Sequence, residues 1–348
     1  MTHREGVTTV SHDWTLIKAS SLIDDQVIIE IDGNTPVEQA CHHLVKNNIS
    51  SAPVFNMSTS PHGNTVKKYC GMFDAGDVIA YILLVLKSSS VNDTGSLEIQ
   101  EIVQRAMNGK QVPVSLASDL SQRNPFYSIM HETTLLSAVE IFACGTHRVC
   151  VLKPDGTIKG ILSQSTVVKY LYEHRRQFPE IDDLLNRTVR QLSLGESAVI
   201  SVNADSPVLE ALSQMSEHGV SSVAVLGHMG VILGNISMTD VKYVLKSVHH
   251  RLLWETCIQF VSLIRTQQGI EDGQDRLPVF DVRLETTLGF AIAKLLATRA
   301  HRVWVTDERD RPIGVLSLTD IMVAVAGQVG VTPTGTRRSS VSRPAFAI

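Results

Sequence analysis

Apolar positions along this chain switch between a helical and an alternating period, and the switch recurs in a fixed order. Behind Asp205-Ser206-Pro207, which supplies a cap and a first-turn proline, Val208, Leu209, Ala211, Leu212 and Met215 recur at helical spacing. Gly219 ends that helix, and a β-branched run from Ser222 to Leu226 predicts a strand. A glycine-rich turn, Gly227 to Gly230, leads to a second strand from Val231 to Ile236. Ser237 then opens a helix with Val241, Val244, Leu245 and Val248 on one face. The same order returns with a helix from Leu288 to Leu296 after Thr286-Thr287, a strand Arg302 to Val305, a turn Asp307 to Arg311, a strand Ile313 to Leu316 and a helix from Thr319. One such unit leaves a sheet face and strand edges uncovered, so pairing of units completes the core.

A short pattern is held inside each unit: a glycine, two residues, a hydroxyl or acid, two more residues, then usually an aspartate. The copies are Gly71 with Asp74 and Asp77, Gly160 with Ser163 and Thr166, Gly234 with Ser237 and Asp240, and Gly314 with Ser317 and Asp320. Thirteen residues upstream of three of these glycines stand His147-Arg148, Ser221-Ser222 and His301-Arg302. The first copy keeps Ser50-Ser51 but carries an insertion from Ser58 to Asn64 before Gly71. Offsets preserved across four copies are internal duplication: one module used four times.

At 348 residues, with 43% apolar and 19% charged, the chain suits two domains of ordinary size with real cores. A net charge of −4 argues against a general affinity for nucleic acid, so any anionic ligand is held locally. The five cysteines are odd in number and lack CxxC spacing, which points to a reducing compartment and neither a disulfide framework nor a zinc site. Met1 to Ser20 is polar around Trp14, unlike a signal peptide, and no run reaches membrane-spanning length. No membrane partner is expected.

The stretches HRVCVLKPDGTIKGILSQSTVVKYL, SSVAVLGHMGVILGNISMTDVKYVL and HRVWVTDERDRPIGVLSLTDIMVAV resemble CBS domains, modules that pair into ligand-binding disks. The four-copy arrangement resembles the γ subunit of AMP-activated protein kinase: in both, the second and fourth copies carry His-Arg, the third lacks it, and the second lacks the terminal aspartate. FDAGDVIAYILLVL, FVSLIRTQQGIEDGQDRLPVF and ATRAHRVWVTD further resemble the fungal four-CBS proteins linked to cell-cycle progression and to restraint of type 2A phosphatase. The resemblance implies an α/β fold of four CBS domains in two pairs, Trp14 to about Arg176 and Phe178 to about Gly327, stacked as a disk-like regulatory module. The expected divisions are an N-terminal tail 1–13, CBS 1 at 14–87, a linker 88–123, CBS 2 at 124–177, a linker 178–196, CBS 3 at 197–248, a linker helix 249–276, CBS 4 at 277–326 and a disordered tail 327–348.

The physical case for a nucleotide site stands beside that resemblance. A strand ending at Gly314-Val315-Leu316 and a helix beginning near Ser317 put free amide groups and a helix dipole at one cleft, which favours a phosphate. Asp320, one turn in, can accept from both ribose hydroxyls, with Ser317 and Thr319 beside it. Ser237 and Asp240 repeat the arrangement. His147, Arg148, His301 and Arg302 add donors suited to phosphate oxygens. The same residues have a second reading, since a hydroxyl followed three residues later by an acid is also a capping box, and the His-Arg pairs can be surface residues at a strand start.

Departures from the γ pattern limit the count. Asp74 stands where a hydroxyl is usual, Thr166 replaces the ribose acid, and Ser50 and Ser165 stand where the family has an arginine and a lysine. One or two occupied sites are expected, around Asp240 and Asp320. Cys41-His42-His43 and His249-His250-Arg251 lack a second ligand cluster, and GxSxG, Walker A and HExxH motifs are absent, so neither a metal site nor catalysis is expected. Ser88 to Gly95 and Asn108 to Asn124 read as polar connections. In the tail, Arg337-Arg338-Ser339-Ser340-Val341 resembles a substrate of basic-directed kinases, with an unmodified solvated tail as the alternative.

The expected function is therefore a non-catalytic regulator in nutrient-stress and cell-cycle signalling. It needs no cofactor, binds AMP, ADP or ATP, and controls a Ser/Thr kinase or a phosphatase complex. The rival is a constitutive phosphatase inhibitor or scaffold with no functional nucleotide site. The cytoplasm is the expected compartment, with the nucleus as a further one.

Overall fold

The structure is a computed structural model describing residues 13–23, 26–59, 65–87, 97–246, 250–273 and 279–332. The first copy comprises β1 (Ile31–Asp32), α1 (Val37–Lys46), β2 (Ser51–Thr59), β3 (Thr65–Asp74) and α2 (Ala75–Lys87); α3 (Leu97–Met107) and α4 (Val114–Ala117) follow. The second holds β4 (Ser128–Met130), α5 (Leu135–Ala143), β5 (Arg148–Leu152), β6 (Ile158–Ser163) and α6 (Gln164–Glu173), and α7 (Pro179–Asn186) leads onward. The third has β7 (Ser201–Asn203), α8 (Val208–Glu217), β8 (Ser222–Leu226), β9 (Ile232–Ser237) and a 3-10 turn Met238–Asp240 running into α9 (Val241–Lys246). After α10 (Cys257–Asp272), the fourth has β10 (Asp281–Val282), α11 (Leu288–Thr298), β11 (Arg302–Thr306), β12 (Pro312–Ser317) and α12 (Leu318–Gln328).

Each copy thus has the expected helix, strand, strand, helix order plus a leading strand of two or three residues, too short to show a period in sequence. That strand pairs in parallel with the middle strand, which pairs antiparallel with the last, giving four three-stranded sheets. Every antiparallel pair slips register at the same place, after Val54, Val151, Val225 and Val305, and those valines lie opposite Gly71, Gly160, Gly234 and Gly314. The pattern glycine is explained there. A Cβ at Gly314 would lie 1.9 Å from the carbonyl oxygen of Gly195, at Gly160 2.2 Å from Ile23 Cγ2, at Gly71 2.6 Å from Ser118 Oγ and at Gly234 3.1 Å from Val261. In all four copies another segment crosses the sheet edge where a side chain would stand.

Those crossing segments are exchanged between neighbours. Ala19 N donates to Thr133 O (2.8 Å) and Leu135 N to Ile17 O (2.6 Å), so the residues leading into the first copy start the helix of the second, with Trp14 buried in its core. Reciprocally, Val37 N donates to Val112 O (2.9 Å) and Val114 N to Thr35 O (2.8 Å). The third and fourth copies repeat the exchange: Leu288 N to Arg187 O (2.8 Å), Val189 N to Thr286 O (2.9 Å), Val208 N to Glu255 O and Cys257 N to Ser206 O. Copies one and two form one pair in this sense, and three and four the other.

Between pairs, helices do the packing. One apolar cluster joins copy one to copy three, with α1 and α2 against α8 and α9; another joins copy two to copy four, with α5 and α6 against α11 and α12. Within the second pair the sheets meet through Ala224, Ile232 and Trp304, and Trp304 Nε1 donates to Asn235 Oδ1 at 3.0 Å.

Several segments are more ordered than their composition implies. The stretch expected as a linker from 88 to 123 contains α3, whose Ile99 and Ile102 bury against copy one. Between 178 and 196 lies α7, with Ile181, Leu184 and Leu185 in the core of copy four. No side chain caps α8: Pro207 itself is the cap residue and bridges to Thr256. The last helix runs to Gln328, and Val329 and Val331 pack behind it. Ser339 and Ser340 lie outside the described residues, as does the Ser88 to Gly95 stretch.

Candidate functional site at the meeting of the four copies

Strand register assembles the sequence motifs. Arg148 lies opposite Ser163, Arg302 opposite Ser317, Ser222 opposite Ser237 and Ser51 opposite Asp74. The backbone closes each arrangement, since Leu318 N donates to His301 O, Gln164 N to His147 O and Met238 N to Ser221 O. The upstream dipeptide and the pattern hydroxyl or acid are therefore direct neighbours in every copy.

The pattern's acids cap helices. Ser317 N and Oγ donate to Asp320 Oδ2 at 2.9 and 2.7 Å, and Asp320 N donates back to Ser317 Oγ. Ser237 N and Oγ donate to Asp240 Oδ2, both at 2.8 Å. In copy two Thr166 N donates to Ser163 Oγ, the acid being replaced. Asp240 and Asp320 differ in setting. Asp240 is 3% exposed and its Oδ1 lies 3.5 Å from Arg265 Nη1, on α10. Asp320 is half-buried and faces the Arg302 guanidinium, whose pKa it supports. Thr319 Oγ1 accepts from Gln164 Nε2 (2.9 Å), a bond across the copy-two to copy-four interface.

The basic residues converge. Arg302 Nη2 donates to Ser221 Oγ of the neighbouring copy, and Arg148 Nη1 to Ser50 Oγ at 3.2 Å. Arg123, in the connection before copy two, donates from Nη1 to Val220 O at 2.6 Å. Burial first, then the fields of Arg148, Arg123, Arg302 and His301, push the His147 pKa down to about 3. Burial and the same two strand arginines push His301 to about 4. Burial pushes Arg302 and Arg123 down to about 10. Both histidines are neutral at physiological pH and the arginines carry the charge. Against this burial, Asp320 raises the pKa of Arg302, and Asp74 and Asp77 raise that of Arg123.

Copy one fills its own cleft. Asp77 accepts from Asp74 N and Ser121 N, both at 2.9 Å, while Asp74 accepts from Gly76 N, Asp77 N and Asn124 Nδ2. Asn124 Oδ1 meets His147 Nδ1 at 2.7 Å; because the Asn124 amide donates to Asp74, this oxygen accepts and His147 carries its proton on Nδ1. Burial and the adjacent Asp74 hold the Asp77 carboxyl well above its ordinary pKa. Arg123, Asn124 and Ser121 are not marked by the repeat pattern; only their contacts across copies reveal them.

Comparison with known proteins agrees with this architecture. A model described as the CBS domain matches residues 117–173, 190–247 and 275–327. The chain is a CBS-domain repeat protein. Its first copy, which that model does not match, carries the same three-stranded sheet with a longer hairpin. Close homologues are Protein SDS23 of Meyerozyma guilliermondii, 37% identical over 87% of this chain and 59% of the relative, and Protein sds23 of Aspergillus niger, 37% identical over 86% and 58%. The chain thus spans less than two thirds of the length of these relatives. Protein MJ1225 of Methanocaldococcus jannaschii, described as a proposed archaeal homologue of γ-AMPK, shares the fold with a TM-score of 0.61 at 13% identity, over 88% of this chain and 99% of that one. Among the described residues no helix is long and apolar enough to cross a membrane.

Proposed function

We propose that this CBS-domain protein is a non-catalytic regulator that binds an adenine nucleotide at the centre of its four copies and controls a Ser/Thr kinase or phosphatase complex. The observation that carries the reading is the convergence of Arg123, Arg148 and Arg302 around His147 and His301, with Asp320 facing Arg302. Cations brought together in a partly desolvated place repel one another, and a phosphate offsets that cost with charge-assisted hydrogen bonds. Arg302 and Arg148 would take the phosphate, and Asp320, beside Arg302, the ribose hydroxyls. Regulation follows by linkage: a ligand that prefers one arrangement of the two pairs shifts affinity for a partner, and the partner shifts ligand affinity equally. The homologues' naming as Protein SDS23 supports cell-cycle and stress signalling as the setting.

Asp240 favours a second reading for copy three. Its buried pairing with Arg265 makes it part of the scaffold, so a constitutive scaffold or phosphatase inhibitor with fewer working clefts is the alternative. Calorimetric titration with AMP, ADP and ATP separates the two. Micromolar to millimolar binding supports the sensor, and no heat at millimolar nucleotide leaves the scaffold.

A further inference from the structure

We infer that Asn108-Gly109 is a modification site, where the chain converts its own side-chain amide to aspartate and isoaspartate and thereby loosens copy one. Asn-Gly occurs once in the sequence, directly after α3. A glycine in second place leaves its backbone nitrogen open to the asparagine side chain, because no Cβ shields the approach. The surroundings add no shield: a Cβ built on Gly109 would meet nothing within 4 Å.

Other asparagines are restrained. Asn34 Nδ2 donates to Asp32 Oδ1 at 3.1 Å, Asn47 Nδ2 to His43 O at 2.9 Å and Asn124 Nδ2 to Asp74 Oδ2 at 2.6 Å. Asn124 also precedes Pro125, which has no N–H to attack with. Asn108 is exposed, and its side chain has no hydrogen-bond partner among the described residues. One backbone bond opposes the reaction, from Gly109 N to Ala106 O at 3.0 Å, and it belongs to a helix end, where fraying is easiest.

The conversion needs only water. Gly109 N bonds to Asn108 Cγ and gives up its proton, Nδ2 leaves with that proton as ammonia, and a succinimide closes. Water then breaks either the new N–Cγ bond, which yields aspartate, or the original peptide bond, which reroutes the backbone through Cγ as isoaspartate. Both products place a carboxylate at the C-terminal end of α3, against the helix dipole. Isoaspartate also adds a methylene to the backbone.

That backbone leads into the segment on which copy one depends. Ile99 and Ile102 bury α3 in the core of copy one, and a few residues on, Val112 O accepts from Val37 N at the start of α1 and Ser115 N donates to Gly33 O. A longer backbone between these two attachments shifts one of them.

The test is ageing of the purified full chain at mildly alkaline pH, followed by peptide mapping with mass spectrometry and isoaspartate-specific enzymatic methylation. Asn108 is expected to lose its amide before any other asparagine, with isoaspartate as a product. The aged chain should melt at a lower temperature than fresh chain and be cut faster by trypsin at Arg105 and Lys110, while Asn108→Gln aged alongside keeps its melting temperature. The mapping uses the unmodified chain, so it stands even where the variant fails to fold. Retention of the Asn108 amide while other asparagines convert would overturn the inference. Conversion that leaves melting and trypsin resistance unchanged would overturn the loosening of copy one.

Discussion

Arg302 is the residue on which the nucleotide reading turns, because it joins the fourth copy's strand, Ser221 of the third copy and the field of Asp320. Arg302→Gln should weaken AMP far more than adenosine in a paired titration; equal losses would make the arginine structural. The two pattern acids should part company. Asp320→Ala should cost nucleotide binding about 1–3 kcal/mol with little change in melting. Asp240→Ala should instead destabilise the fold by on the order of 3 kcal/mol, since it leaves Arg265 buried beside an absent partner, and denaturant unfolding measures this directly. His147 predicts a pH effect. Its folded pKa of about 3 lies below the unfolded value near 6.5, so its share of stability is complete above about pH 6.5 and is lost as pH falls through that window. His301, at about 4, acts in the same direction, whereas Asp77, held high, contributes more as the pH falls. Melting followed from pH 7.5 to 4.5 should therefore fall less steeply in His147→Gln than in the unmodified chain.

At the scale of elements, helices and hairpin strands were legible because one buried face imposes a period on the residues. The strand from Ser222 to Leu226 and the helix beginning at Val208 lie where their patterns place them. What was not legible depends on partners far away in sequence. The leading strands are two or three residues long, and α3 is amphipathic only with respect to copy one, against which Ile99 and Ile102 pack. The site divides in the same way: spacing alone marks His147-Arg148 and His301-Arg302 as recurring, but Arg123 becomes visible only through Val220 of another copy. The pattern glycines now have a physical ranking. Gly314→Ala should be the costliest alanine substitution among them, at about 1–3 kcal/mol or more, because its Cβ would meet the backbone of Gly195, which cannot turn aside as a side chain can. Gly234→Ala, facing Val261 at 3.1 Å, should cost least, and thermal unfolding of the four variants would show whether that order holds.

For the molecule as a whole, the two apolar clusters run between pairs while the exchanged segments run within them, so movement of one pair against the other passes through helix packing around the central arginines. That geometry suits a regulator whose effect must leave through a surface. Affinity purification from cells should recover a Ser/Thr kinase or phosphatase complex, and Ser340→Asp should alter the yield through added charge beside Arg337 and Arg338 without changing nucleotide binding. Recovery of neither enzyme class under fed and starved conditions would remove the signalling assignment.

The exchange of segments also has a consequence in time. On the ribosome, copy one emerges with its first helix still lacking the residues around Val112, and the helices of copies one and two have no apolar cover until copies three and four arrive. Half-made chains must therefore hold a wide apolar surface open for as long as the second half takes to be translated, which is the condition in which nascent proteins aggregate or recruit chaperones. Chains released early, at about residue 177, should be recovered chiefly in aggregates or on chaperones, so that premature termination yields no competing half-regulator.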